Sequence, residues 1–283
     1  MILVTGATGN VGRPLIESLH AGGAQVRAVS RTSGGGLPAG VEAVQGDPSR
    51  PATIAPALRG VTSVFLNPAA VGGGIGALLA VARDHGVRRV VLLSSLAIDD
   101  EAAEQPNVIA ARHKTLEDSV VASGLEWVFL RPGAFATNTL AQWSGQIRAG
   151  DVVRGSYARA TSAPVHERDL AEVAARALLT DDLLGTRPSL TGPDSLTQEE
   201  MVATIGAVIG RRLRYAEIPR EAALGHLVER GFHERTADTM LTLQAASVGR
   251  EAFVSDEAGR LLGRPARTYA AWAGDHAAEF GAR

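Results

Sequence analysis

The stretch "TGATGNVG", Thr5 to Gly12, restricts this chain more than any other segment. It joins an apolar, β-branched run, "MILVT", to a helix-patterned run, "GRPLIESLHAGG". Gly6, Gly9 and Gly12 follow the spacing G-x-x-G-x-x-G. Glycine lets the backbone turn tightly and approach a phosphate, and the helix start offers unpaired N–H groups with partial positive charge. After the first strand of a βαβ unit this spacing predicts a dinucleotide site. Gly6, Thr8, Gly9, Asn10, Val11 and Gly12 are its expected cradle.

The next hundred residues repeat the alternation that the first unit starts. "QVRAVSR", "VEAVQGD", "VTSVFLN", "VRRVVLLSS" and "LEWVFLRP" read as strands. "TIAPALRG", "GALLAVARDHG" and "HKTLEDSVVASG" read as helices between them. Apolar strands separated by amphipathic helices indicate a parallel sheet covered on both faces. Right-handed crossovers make it an α/β, Rossmann-type, doubly wound parallel sheet. Beyond Pro132 the pattern loosens; "ERDLAEVAARALLT" is a helix and "RPSLTGP" a strand returning to the sheet. The expected division is a nucleotide-binding domain over 1–133 with a returning segment 166–193. A smaller, mostly helical substrate-binding region then takes 134–165 and 194–283.

The end of the second strand selects between the two nicotinamide dinucleotides. A carboxylate there holds the ribose hydroxyls of NAD, and a cation there accommodates the 2′-phosphate of NADP. Here the strand closes on Ser30-Arg31-Thr32-Ser33 with no acid, and Arg13 follows the third glycine. NADP(H) is therefore expected, with Arg31 as the phosphate clamp; NAD is the alternative. Asp47, after the third strand, is expected near the adenine or else as a turn residue. Asn67, ending the fourth strand, is expected to face the nicotinamide side or to start a turn at Pro68. The acidic run Asp99–Glu104 reads as a solvated loop, or as part of a lid.

Composition removes several other chemistries. The chain has no cysteine, so it makes no disulfide, thiolate nucleophile or iron–sulfur ligand. Its seven histidines show no metal-ligand spacing, and no metal is expected. No G-x-S-x-G elbow is present. A net charge of −2 gives no electrostatic case for nucleic acid or an anionic membrane. Met1 leads straight into a strand and no apolar run is long enough to span a bilayer, so a cytoplasmic protein is expected. Lys114 is the only lysine, and the arginine, alanine and glycine bias fits a GC-rich genome.

"TGATGNVG", "SR" at the end of the second strand, "GVRRVVLLSS", "LRPGAF", "VHERDLAEVAARAL" and "LTGPDSLT" occur in this order. The ordered set resembles the atypical short-chain dehydrogenase/reductases, specifically the NmrA-like and NAD(P)H:quinone reductase-like group. The resemblance spans nearly the whole chain. It implies a nicotinamide near "LRPGAF", with Ser94, Pro132 and Gly133 beside the cofactor; Phe135 and Asn138, which follow "RPG", are expected to line the substrate pocket, with Phe135 alternatively a core residue. Ser94 and Ser95 keep the serine at the end of the fifth strand, and His166 in "PVHERD" is read as structural.

The wider superfamily carries Tyr-x-x-x-Lys on the helix after that strand. The lysine lowers the tyrosine pKa, and the tyrosine exchanges a proton with a carbonyl or alcohol. This chain reads His113-Lys114-Thr115-Leu116-Glu117 there. Histidine stands for tyrosine and glutamate for lysine, while Lys114 points about 100° around the helix from His113. His113 is a candidate proton donor near neutral pH, Glu117 a candidate to orient it, and Lys114 the remaining catalytic candidate. Alternatively His113 and Glu117 are a surface pair.

The resemblance implies an NADPH-dependent reductase of quinones or similar conjugated aromatics, without flavin. An aromatic polyketide in antibiotic biosynthesis, and support of a hydroxylation with an oxygenase-type partner, are expectations of the same kind. The alternative is a non-catalytic NADP-binding redox sensor of the NmrA type. A monomer or a homodimer is compatible with the sequence.

Overall fold

The computed structural model describes residues 1–32 and 35–282. Along the chain the regular elements are β1 Ile2–Thr5, α1 Gly12–Ala21, β2 Val26–Ser30, β3 Glu42–Gln45, β4 Ser63–Leu66, α2 Pro68–Val71, α3 Ile75–Asp84 and β5 Arg89–Leu93. They continue as α4 Val108–Ala122, β6 Glu126–Pro132, α5 Asn138–Ala149, β7 Val152–Gly155, β8 Thr161–Ser162, α6 Glu167–Leu179 and β9 Ser189–Leu190. The remainder comprises β10 Leu196–Thr197, α7 Gln198–Val208, β11 Arg214–Glu217, α8 Arg220–Glu229, α9 Glu234–Ser247, α10 Glu257–Leu262 and α11 Tyr269–Asp275. The segment "TIAPALRG", expected as one helix, forms two 3₁₀ turns, Pro51–Thr53 and Ala55–Leu58. Pro56 has no N–H to give to a continuous i→i−4 ladder.

The main sheet has seven strands in the order β3-β2-β1-β4-β5-β6-β9. The ladders from β3 to β6 are parallel. On the last edge the amides of Phe129 and Arg131 donate to the carbonyls of Thr186 and Pro188 in rising order, so β9 also runs parallel. The chain starts at β1, works outward to β3, then returns to β4 on the other side. This reversal leaves a crevice at the carboxyl ends of β1 and β4, where doubly wound sheets bind ligands.

The chain divides into two compact units, 1–100 with 110–132 and 167–189, and 101–109 with 133–166 and 190–283. In the first, β1, β4 and β5 are buried along their whole length, as strands covered on both faces must be. Leu58, Leu78, Leu79, Leu92, Val120 and Phe129 are among the residues that fill one face; α1 packs against α6. The second unit has its own core around Trp143, Ile147, Val202, Ile205, Trp272 and Phe280. Its small ladders, β7 with β11 and β8 with β10, carry no sequence period long enough to announce them. Thr197 caps α7 through a reciprocal box with Glu200.

Candidate active site

The glycine loop leaves β1 by a turn that needs glycine at its first position. Gly6 has φ +65°, and a Cβ there would lie 2.9 Å from Nδ2 of Asn67. A Cβ on Gly12 would stand 2.1 Å from the Gly6 carbonyl oxygen, so the third glycine is what lets α1 close onto the loop. The Gly9 amide donates to Gly6 O at 2.9 Å. Among the described residues the amides of Thr8, Asn10, Val11 and Gly12 make no hydrogen bond. Thr8 and Asn10 are exposed and Val11 is buried under the turn. The first turn of α1 holds no acid and carries Arg13. Open amides, a glycine-shaped cradle and a positive helix end fit the pyrophosphate of a dinucleotide.

Thr5 ties the two strands that flank the crevice. Its Oγ1 donates to Phe65 O at 3.0 Å and accepts from the Asn67 amide at 2.9 Å. Asn67 uses its own Oδ1 to cap α2, accepting from Ala69 N at 3.0 Å. Asn67 thus starts α2 at Pro68, one of its two sequence readings, and it also packs on Gly6.

At the end of β2 the Arg31 guanidinium is exposed and makes no hydrogen bond or ion pair among the described residues. Arg13 reaches the same loop, its Nη1 donating to Gly36 O at 3.1 Å. Thr32 is exposed beside Arg31, and Ser33 lies outside the described residues. Asp47 closes an Asx turn, with Oδ1 accepting from the Ser49 hydroxyl at 2.7 Å and the Ser49 amide at 3.0 Å. These hydrogen bonds hold its carboxyl below the usual range, with Arg50 and Arg31 assisting.

Where β5, α4 and β6 meet, the structure departs from the expected catalytic arrangement. Glu117 does not address His113. Its Oε1 accepts from Arg131 Nε at 2.9 Å and from Ser94 Oγ at 2.5 Å. Its Oε2 accepts from Arg131 Nη2 at 2.7 Å. Arg131 also clasps Asp100 through Nη1 at 2.6 Å and Nη2 at 2.8 Å. Burial works against the Arg131 charge, but its hydrogen bonds to Asp100 and Glu117 outweigh it and hold the pKa above the ordinary arginine value. Glu117 thus locks α4 onto β6 and is occupied as a structural anion. The Ser94 hydroxyl, expected beside the cofactor, is spent on the same carboxylate. Asp100, expected in a solvated loop, is part of the cluster.

His113 sits alone beside this cluster. Its Nδ1 is buried and makes no hydrogen bond. Burial pushes its pKa down to about 4, the Arg112 charge acts in the same direction, and Glu117 opposes only in part. At neutral pH the ring is therefore uncharged. The expected role of His113 as a neutral-pH proton donor is corrected accordingly: an uncharged imidazole offers hydrogen bonds, not an easily released proton. Lys114 pairs with Asp118 one turn along α4, on the half-exposed face. It does not occupy the superfamily lysine position.

Pro132 ends β6, and its carbonyl accepts from Leu96 N at 2.9 Å. The Gly133 amide donates to Leu190 O at 3.0 Å. In the second unit Phe135 is half-buried and bridges Val165, and Asn138 opens α5 with its side chain exposed. His166 is buried, with Nε2 at 3.4 Å from Asp275. Burial raises the phenols of Tyr215 and Tyr269, which are tied to Ser156 O at 2.7 Å and Thr139 Oγ1 at 2.9 Å. Arg131 was absent from the sequence reading, although an arginine inside an apolar strand is itself a signal that a buried carboxylate awaits it.

The comparisons with known proteins agree with this geometry. The NAD(P)H-binding family profile matches residues 6–181. The chain is 37% identical to the (4-alkanoyl-5-oxo-2,5-dihydrofuran-3-yl)methyl phosphate reductase of Streptomyces griseus subsp. griseus, covering 99% of each chain. It is 32% identical to the NAD(P)H azoreductase of Xenophilus azovorans, covering 100% of each. The NADPH complex of the quinone oxidoreductase QOR2 from Escherichia coli superposes with a TM-score of 0.77 at 26% identity, covering 97% of this chain and 99% of that one. No helix among the described residues is long and apolar enough to cross a membrane. The glycine cradle, the sheet order and these relatives together place the chain in the NAD(P)H-binding family, as an NAD(P)H-dependent reductase of the atypical short-chain dehydrogenase/reductase, quinone reductase-like group.

Proposed function

We propose that the protein reduces electrophilic conjugated compounds with NADPH: quinones, azo compounds, or unsaturated lactones carrying a second carbonyl. The carrying observation is that the Tyr-x-x-x-Lys position holds no acid at neutral pH. His113 is uncharged there, and Glu117 is held by Arg131 and Ser94. A simple ketone becomes an alkoxide on accepting hydride and needs a positioned proton. A quinone becomes a phenolate, and an acyl-substituted unsaturated lactone becomes a delocalised enolate. Such adducts are stable enough to take their proton from water, so hydrogen bonds suffice. The activities named for the furanone phosphate reductase and the quinone oxidoreductase share this chemistry, whereas an azo acceptor would need its proton delivered together with the hydride.

NADPH, when bound, supplies the hydride. The chain's own residues account for its placement. The open amides of Thr8, Asn10, Val11 and Gly12 hold the pyrophosphate, while Arg31 and Arg13 receive the 2′-phosphate. His113, with its buried unpartnered nitrogen, hydrogen-bonds ligand rather than moving a proton. An aromatic polyketide substrate, an oxygenase-type partner that uses the reduced product, and a cytoplasmic setting belong to the same proposal. The alternative of a non-catalytic sensor gains no observation of its own.

The test is a panel assay. Purified protein and NADPH are mixed with a quinone, an azo dye, an acyl butenolide and simple aldehydes and ketones, and loss of reduced-nicotinamide absorbance is followed. Turnover confined to the conjugated acceptors is expected. Turnover of the simple carbonyls at equal rates would overturn the reading.

A further inference from the structure

Beneath the hairpin of α8 and α9 the second unit holds a cavity of about 380 Å³. That lies within the range of small-molecule sites. Phe135 and Asn138, the substrate-lining residues expected from the sequence, do not reach it; its wall on α5 begins a turn later, at Gln142 and Trp143. Trp143, Tyr215, Leu227, Met240 and Leu241 give it apolar surface. The Trp143 and Tyr215 rings meet edge to face at 6.0 Å and 76°.

Its polar groups are built, not incidental. Gln198, at the start of α7, is only 7% exposed, lines the cavity, and its side-chain amide makes no hydrogen bond among the described residues. Its amide atoms open into the cavity, so a ligand oxygen there can take the place of water on them. Gln244 is held by its oxygen, which accepts from Ser156 Oγ at 2.8 Å, leaving its NH₂ as a donor. Ser156 O in turn accepts from Tyr215 Oη at 2.7 Å. The exposed mouth carries Arg154 and Arg230 against a single acid, Glu229. Neither arginine forms an ion pair among the described residues.

We propose that this cavity binds a planar ring compound bearing carbonyl or hydroxyl oxygens and an acidic substituent. The ring packs against Trp143, Tyr215 and the Met240 sulfur, which suits an aromatic edge. One ring oxygen satisfies Gln198, and the acidic group faces Arg154 and Arg230. An alkyl chain of the same volume leaves Gln198 unpaired. That the occupant is the hydride acceptor rests on the reductase reading; the binding itself does not.

The probe is lawsone, a naphthoquinone with an acidic hydroxyl, titrated by calorimetry into the full chain without cofactor. Unsubstituted naphthoquinone and laurate serve as comparisons. Wild type binds lawsone most tightly. Gln198→Leu weakens it about fivefold to tenfold, Ala223→Phe on the α8 wall abolishes binding by filling the space, and Arg154→Gln weakens lawsone but not naphthoquinone. Melting curves and NADPH affinity confirm that each variant is folded, and Gln142→Leu substitutes for any variant that is not. Wild-type lawsone affinity in both Gln198→Leu and Ala223→Phe, or tighter binding of laurate than lawsone, overturns the proposal. If these variants lose lawsone yet no acceptor consumes NADPH in wild type, the cavity stands and the reductase reading falls. If turnover of quinones is untouched by them and binding unchanged, the reverse holds.

Discussion

Replacing Arg131 with methionine keeps most of the side-chain volume but removes four side-chain hydrogen bonds, two to Glu117 and two to Asp100. The two carboxylates differ in what they lose. Asp100 is 51% exposed and simply rehydrates, so its share of the loss is less than about 1 kcal/mol. Glu117 is 3% exposed and retains only the Ser94 hydroxyl and, at 3.8 Å, the partly exposed Arg187. Removing one member of a buried pair costs about 3–5 kcal/mol, because the other charge stays behind. Movement of Arg187 toward Glu117 sets the expected loss near the lower end, about 3 kcal/mol. The double variant Arg131→Met with Glu117→Leu leaves no buried charge and recovers part of that loss. The measurement is urea unfolding followed by circular dichroism, run as a double-mutant cycle. The reasoning is refuted if Arg131→Met costs less than about 1 kcal/mol, or if Glu117→Gln keeps full stability while abolishing turnover. The second result would return Glu117 to catalysis.

Three further outcomes follow from the same geometry. Gly12→Ala drives a methyl group to within 2.1 Å of a backbone oxygen, so α1 must shift; NADPH affinity should fall at least tenfold by fluorescence titration, and unchanged affinity would show the loop to be more pliant than drawn. Arg31→Ala removes one charge-assisted contact worth about 1.5–3 kcal/mol, weakening NADPH roughly tenfold to a hundredfold while sparing NADH; equal losses for both would exclude the clamp. His113 has a pKa depressed to about 4, so its folded state takes up fewer protons than the unfolded chain. Its contribution is present above the unfolded value of about 6.5 and is lost as pH falls toward 4, amounting to about 3 kcal/mol. His113→Phe should therefore flatten the stability profile in that acid window, and a wild-type kcat/KM profile with a histidine-like inflection at neutral pH would contradict the assignment.

The parts of the fold that the sequence disclosed are those governed by local rules. The glycine spacing reports a turn, a helix start and a close backbone approach within eight residues. The strands β1, β4 and β5 were legible because a sheet covered on both faces requires uninterrupted apolar runs. The Glu117 cluster was not, because its contacts join residues 14 and 31 positions apart and depend on how α4 is rolled against β6. The four-residue spacing of His113 and Glu117 suggested a pair on one helix face, but Glu117 turns inward to an arginine that periodicity alone treats as a break in a strand. His113 was read at the position of the superfamily tyrosine, and the burial that lowers its pKa has no signal in the sequence. The two-residue ladders of the second unit, and the cavity beside them, have no local signature at all.

Thr5 has a kinetic consequence. Because its single hydroxyl both gives and receives a hydrogen bond, the ends of β1 and β4 hold their spacing, and Asn67 stays pressed on Gly6, with no ligand required. The pyrophosphate half of the nucleotide site is therefore preorganised, and little chain entropy remains to be lost when a dinucleotide arrives. Association of the adenine nucleotide portion should appear in stopped flow as one phase whose rate rises linearly with concentration. Thr5→Val, nearly the same shape but unable to make either bond, should introduce a slower, concentration-independent step as the loop searches for its form.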